Sequence, residues 1–198
     1  MIAYATPAEY RATFDRTSTD KDEDIQKDLS AVSRYLDGKL RRFFTADAAP
    51  VARIYIPEES STGIWVNDLA ATPESVKVDT GRNGKFETEL LHQADYDLLP
   101  LNADKGPEPW PWERIELTQY GLYHGFTPGE RVQVTAKFGW PQVPEAIRSA
   151  TIHLTAILRL ESPRATRRIS ELGDAIESSA DAQSIIAKLT DQYKIWRV

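Results

Sequence analysis

The spacing of the apolar residues changes twice along the chain, and that change limits the fold more than any single motif. Ile25, Leu29, Val32, Leu36, Leu40 and Phe43 recur three or four residues apart, which is one stripe on a long helix. This helix is predicted to begin near Asp22 and to end before Pro50. A shorter one precedes it, with Thr6 as cap, Pro7 in the first turn, Glu9 at the capping-box position and an end near Phe14. From residue 51 the helical spacing is lost. Val51–Ile56, Gly63–Val66, Ser75–Val78, Lys85–Leu90, Arg114–Thr118 and Arg131–Ala136 read as short strands, most of them separated by Gly, Pro, Asn or Asp. After Pro144 the helical spacing returns. Ile147, Ala150, Leu154, Ile157 and Leu158 share one face, and Ile152, Ala156 and Leu160 widen it. A helix buried on most sides is expected there, stopped by Ser162-Pro163. Residues 164–180 carry no clear period. A last helix holds Ala182, Ile185, Ile186, Leu189 and Tyr193 on one side.

The expected fold is therefore α+β: a helical bundle of N- and C-terminal helices with an inserted antiparallel β-sandwich or barrel-like region. The boundaries read as residues 1–50, 51–142 and 143–198. The return to helix is made by Lys137-Phe-Gly-Trp-Pro-Gln-Val-Pro-Glu-Ala-Ile147. Gly139 permits a sharp bend, Pro141 cannot extend a strand ladder, and Pro144 suits the first turn of the next helix. Gly139, Trp140, Pro141 and Pro144 are thus a structural strand-to-helix corner.

Charge is distributed unevenly. Residues 51–142 carry 8 basic and 14 acidic side chains, and so hold a charge of −6, equal to that of the whole chain. The whole-chain charge of −6 argues against a generally basic nucleic-acid binder. The absence of cysteine excludes disulfides, thiolate zinc sites and cysteine nucleophiles. No cationic-plus-apolar leader and no apolar run of membrane-spanning length is present. The expectation is a soluble protein of a reducing compartment, or one that makes no use of redox chemistry.

Motifs with chemical potential are few. Asp79-Thr-Gly-Arg-Asn-Gly84 places Asp, Asn and Gly as in a calcium loop, but Gly81 stands at the third ligand and Leu90 where a bidentate Glu belongs. A β-turn using Asn83-Gly84 for positive φ fits better. His92, His124 and His153 have no metal-ligand spacing, and His153 reads as a satisfied histidine inside the buried helix. Ser60-Ser-Thr-Gly63 lacks a nucleophile-elbow context. Glu87 and Glu89 read as a solvated strand face, although paired carboxylates can do acid–base work. A hydrolase would need convergent polar groups, and none can be assembled; no metal or cofactor is expected. Trp110 and Trp112, in Pro109-Trp-Pro-Trp112, fit packing on the sheet. Exposed, they would make a carbohydrate-binding or adhesion module, the alternative function. The end of the chain, Tyr193, Ile195, Trp196, Arg197 and Val198, is open to two readings. Trp196 folds back onto the last helix, or it anchors a neighbouring protein.

The order of several short runs resembles the phage head–tail connector (adaptor) proteins, the gp6-like and gp15-like connectors of tailed phages and the adaptor of the gene transfer agents. The matching residues are Asp24-Ile25, Ser33-Arg-Tyr-Leu-Asp37, Arg42-Phe-Phe44, Tyr96-Asp-Leu-Leu-Pro-Leu-Asn-Ala103, Pro109-Trp110 before Ile115-Glu-Leu117, and above all Gly139-Trp-Pro-Gln-Val-Pro144. They spread over most of residues 1–160. The resemblance implies a structural virion protein of the neck, made in the bacterial host cytoplasm, and not an enzyme. It implies a ring of on the order of a dozen subunits, the closed heterologous assembly of identical chains. That ring sits beneath the portal protein and meets the next connector, stopper or tail protein. Duplex DNA passes through the lumen without sequence readout, and no membrane is involved. An acidic wall suits passage, since strong phosphate binding would retard it. On this reading residues 7–44 and 144–193 make the ring contacts, and Tyr193–Val198 dock on the portal or on an adjacent subunit.

Overall fold

The computed structural model describes residues 3–14, 20–161 and 178–194. Among them are four α-helices and seven strands in two antiparallel sheets, an α+β fold. They divide into two compact units. One takes residues up to Phe44 and from Val143 onward; the other is Thr45–Gln142.

The first unit is helical. α1 (Pro7–Phe14) opens on a complete capping box. The Thr6 hydroxyl accepts from the Glu9 amide at 3.2 Å, and the Glu9 carboxylate accepts from the Thr6 amide at 2.7 Å. α2 (Asp22–Leu40) buries the expected stripe: Ile25, Leu29, Val32, Leu36 and Leu40 are all at most 1% exposed. Each such side chain stabilises the fold by roughly 1.5–3 kcal/mol relative to an exposed one. α3 (Glu145–Glu161) and α4 (Ala180–Tyr193) pack on α2 and on each other. Ser33, Asp37 and Tyr4 join the entering chain to α2. The Tyr4 amide donates to the Ser33 hydroxyl at 3.0 Å, and its phenol donates to Asp37 while accepting from the Phe44 amide. Burial above all, and the neighbouring carboxylate, raise the Tyr4 pKa well above the usual phenol range.

The stripe departs from expectation at its end. α2 stops at Leu40 because Arg41 turns left-handed, with φ 55°. That turn re-aims the chain, so Phe44 is buried and Phe43 is 60% exposed. In α3, Leu160 is exposed rather than buried, and His153 lies on the exposed side, its ring 5.3 Å from Phe14. The wider face expected there is present in part: Ala150 and Ile152 are buried with Ile147, Leu154 and Leu158, Ala156 and Ile157 are half-buried, and Thr151 and Thr155 complete the buried set. The two threonines are satisfied by the carbonyls one turn back. Ser162-Pro163 and residues 164–177 lie outside the described residues.

The second unit is a sandwich. One sheet has the order β1 (Val51–Tyr55), β7 (Arg131–Ala136), β3 (Ser75–Asp79), β4 (Thr88–Leu90). The other has the order β2 (Gly63–Leu69), β6 (Trp112–Leu117), β5 (Tyr96–Leu99). Alternate residues fill the interior: Val76 and Val78, Val132, Val134 and Ala136, Ile64 and Val66, Ile115 and Leu117, closed by Phe126 and Phe138. Single bridges join Ser61 to Phe126 and Leu69 to Phe138.

Two strands differ from the sequence reading. Lys85–Leu90 shortens to Thr88–Leu90, because the preceding residues are consumed by a turn around Asp79. Its buried carboxylate accepts from the Asn83 amide at 2.9 Å and the Gly84 amide at 2.8 Å. Gly84 is in the positive-φ region as expected, but its partner there is Arg82, not Asn83. β5 was not anticipated. It is four residues long and ends at the cis Leu99–Pro100 peptide.

Candidate functional surfaces

The strand-to-helix corner is built from the backbone outward. Gly139 has φ +108°, and a Cβ there would stand 2.0 Å from the Thr45 carbonyl oxygen. No other residue fits both demands. Its amide donates to the Asp68 carbonyl at 2.8 Å, while the Asp47 amide donates to the Phe138 carbonyl at 2.8 Å. The start and the end of the β unit are thus stitched together. Trp140 is 1% exposed. Its indole N–H donates to the buried Asp68 carboxylate at 3.0 Å, and Trp110 packs on its ring with centroids 4.5 Å apart. Pro141 is half-buried. Pro144 is buried just before α3, its carbonyl accepting from the Arg148 amide at 3.0 Å.

Trp112 is half-buried against the β core and also forms part of the wall of a 270 Å³ pocket with His92, Asp97, Asp104 and Lys105. Trp110 and Trp112 therefore have packing roles, and the two do not form an open aromatic platform. Ser61 and Thr62 are committed to the turn into β2. The Ser61 hydroxyl donates to the Gly63 carbonyl, and the Thr62 hydroxyl donates to Glu116. Glu87 and Glu89 are exposed, Glu89 standing 3.8 Å from Lys77. Among the described residues no group of three or more His, Asp or Glu is placed to hold a metal ion. None of the described helices is long and apolar enough to cross a membrane.

Of the tail residues singled out in the sequence, Tyr193 is 1% exposed and packs edge-on against Phe44 at 5.7 Å. Its side chain fills the helical core. Ile195, Trp196, Arg197 and Val198 lie outside the described residues.

Two exposed apolar surfaces escaped the sequence reading. On the β6–β7 connection Tyr120 is 90% and Leu122 is 95% exposed. Their loop is held firmly by Asp95. Its side chain accepts from the Leu91 and Leu122 amides, its carbonyl accepts from the Thr118 amide at 2.9 Å, and its backbone abuts Gly121. Two glycines, at 121 and 125, are the sequence signal for such a presented tip. The second surface is β1, where Val51, Ile54 and Ile56 are about half exposed or more, at 46%, 51% and 62%.

No protein-family model matches the chain, and no curated protein matches it significantly. Solved structures do. A chain from the neck of an empty GTA particle, computed with C6 symmetry, aligns over 97% of this chain and 90% of its own, with TM-score 0.56 and 17% identity. A chain from the virion of the native gene transfer agent (GTA) particle aligns over 97% and 90%, with TM-score 0.51 and 16% identity. At such identities the likeness establishes a shared fold, over nearly the full length of both chains.

Proposed function

We propose that this chain is a structural protein of a virion neck, a head–tail connector of the gp6-like and gp15-like kind, and not an enzyme. The observation that carries the reading is the full-length likeness to a neck chain of the GTA particle. It is supported by the runs that resemble the connector proteins, of which Gly139–Pro144 form the structural corner described above. In this role the chain forms a ring of on the order of a dozen copies under the portal, extends the channel through which duplex DNA passes, and offers a surface to the next connector or the tail. A neck computed with cyclic symmetry fits such a ring. The acidic balance of residues 51–142 suits a wall along which DNA slides.

Native mass spectrometry of the purified chain, with and without a candidate portal ring, tests the proposal. A closed oligomer near a dozen subunits, alone or on the portal, is the expected result. A strict monomer in both conditions would overturn it. Deleting Ile195–Val198 is expected to leave thermal unfolding unchanged and to weaken assembly. Unchanged assembly of the truncated chain would remove the tail from the docking machinery.

A further inference from the structure

The two sheets present four edge strands, and three of them are guarded. β4 carries the exposed Glu89, with the exposed Glu87 just before it. β5 is capped by the turn before it, where the Gln93 amide donates to the Tyr96 carbonyl at 2.7 Å. β2 has a register irregularity between Trp65 and Leu69, and the Arg114 guanidinium sits 5.2 Å from the Trp65 ring centre. Charges, covering turns and bulges are the ordinary means of preventing strand addition. Among the described residues β1 has no covering turn and no bulge. Its register with β7 is unbroken from Val51↔Ala136 to Tyr55↔Val132. Its one charged side chain, Arg53, is turned onto the Phe138 ring at 3.9 Å and toward Asp47 at 3.3 Å. The pairing places 51, 53 and 55 on the same face as the buried Val132, Val134 and Ala136, so Ala52, Ile54 and Ile56 line the outer face. A strand with apolar side chains exposed on both faces at an open sheet edge is an acceptor for another strand.

The chain also carries a matching donor. α4 ends at Tyr193, and Lys194 has φ −66° and ψ 134°, so the backbone leaves the helix already extended. In Lys194-Ile-Trp-Arg-Val198 the residues Ile, Trp and Val favour strands. The segment is basic at Lys194 and Arg197, whereas β1 runs into the exposed Glu58 and Glu59. Antiparallel addition, which continues the alternation of the sheet, sets Lys194 at that acidic end.

We propose that Lys194–Val198 of one copy adds as a fifth strand to the β1 edge of a second copy. This rests on the connector reading and names the partner of the tail: a neighbouring subunit of the same ring. A heterologous ring needs two different, complementary surfaces on every copy, and a strand donor and a strand acceptor meet that need.

The natural chain has no cysteine, so directed cross-linking is clean. A chain carrying Ile54→Cys is mixed with a second, size-tagged chain carrying Ile195→Cys or, separately, Trp196→Cys, and the mixture is oxidised. A disulfide between the two different chains, formed with one of the two tail positions, is the expected result. Rings that assemble without either cross-link would overturn the inference while leaving the connector reading standing. So would a control chain carrying Ile54→Cys together with Ile195→Cys or Trp196→Cys, if its disulfide formed only within single copies. A natural chain that does not assemble at all would overturn both. Independently, Ile54→Asp should lower the assembled fraction roughly tenfold with unchanged thermal unfolding; full assembly of that variant would count against strand addition.

Discussion

Single residues set the turning points of this chain, and three of them give measurable consequences. Gly139 combines positive φ with a contact that leaves no room for a Cβ. Gly139→Ala should cost about 3 kcal/mol, read as a drop in the urea midpoint with an unchanged slope. A loss under about 0.5 kcal/mol would show that the corner relaxes easily. Arg41 is the converse case. It is exposed and occupies the left-handed position that ends α2, where glycine is the usual residue. Arg41→Gly should raise stability by roughly 0.5–1 kcal/mol, the size of a helix-cap improvement. Asp68 is 5% exposed and holds the Trp140 indole N–H. Asp68→Ala leaves that donor buried without its acceptor, a loss of about 1.5–3 kcal/mol accompanied by a shift in Trp140 emission.

At the scale of elements, α1 is eight residues long with no fully buried side chain, so its ends matter more than its packing. Glu9 is the hinge of its start: it accepts from Thr6 and pairs with Arg148 at 2.9 Å. Burial alone would raise the Glu9 pKa, but the Thr6 and Arg148 contacts outweigh it and bring the pKa below the ordinary glutamate value of 4.5. The unfolded chain therefore binds the proton more readily than the folded one. The contribution of Glu9 is present above pH 4.5 and is lost as pH falls through the lower folded value. Chemical-shift titration of α1 should show this acid transition, and Glu9→Gln should abolish it. The same scale shows what the sequence disclosed. The long stripe of α2, the capping box and six of the seven strands, β4 with its start moved, are readable from period and turn residues alone. β5 is not: four residues between a polar turn and Pro100 are too short to show alternation. Phe44 was missed for Phe43 because the left-handed Arg41 breaks the helical count, which no spacing rule anticipates. β1 was legible as a strand and illegible as a surface. Val-Ala-Arg-Ile-Tyr-Ile is apolar on both faces, the signature of a central buried strand, whereas topology places it at an edge.

For the molecule as a whole, the sandwich has its own core, from Ile64 to Phe138, drawn entirely from Thr45–Gln142. Expressed alone, that segment should fold cooperatively, with amide protection greatest on β3, β6 and β7; non-cooperative melting would show that the helical residues are required. The stitching of its two ends has a consequence of another kind. Because Thr45 and Asp47 lie against Gly139 and Phe138, the chain enters and leaves the sandwich through one gate. A segment with adjoining ends can be lengthened, shortened or exchanged for an unrelated one without moving the points at which the helices are joined. The sandwich is in that sense a cassette.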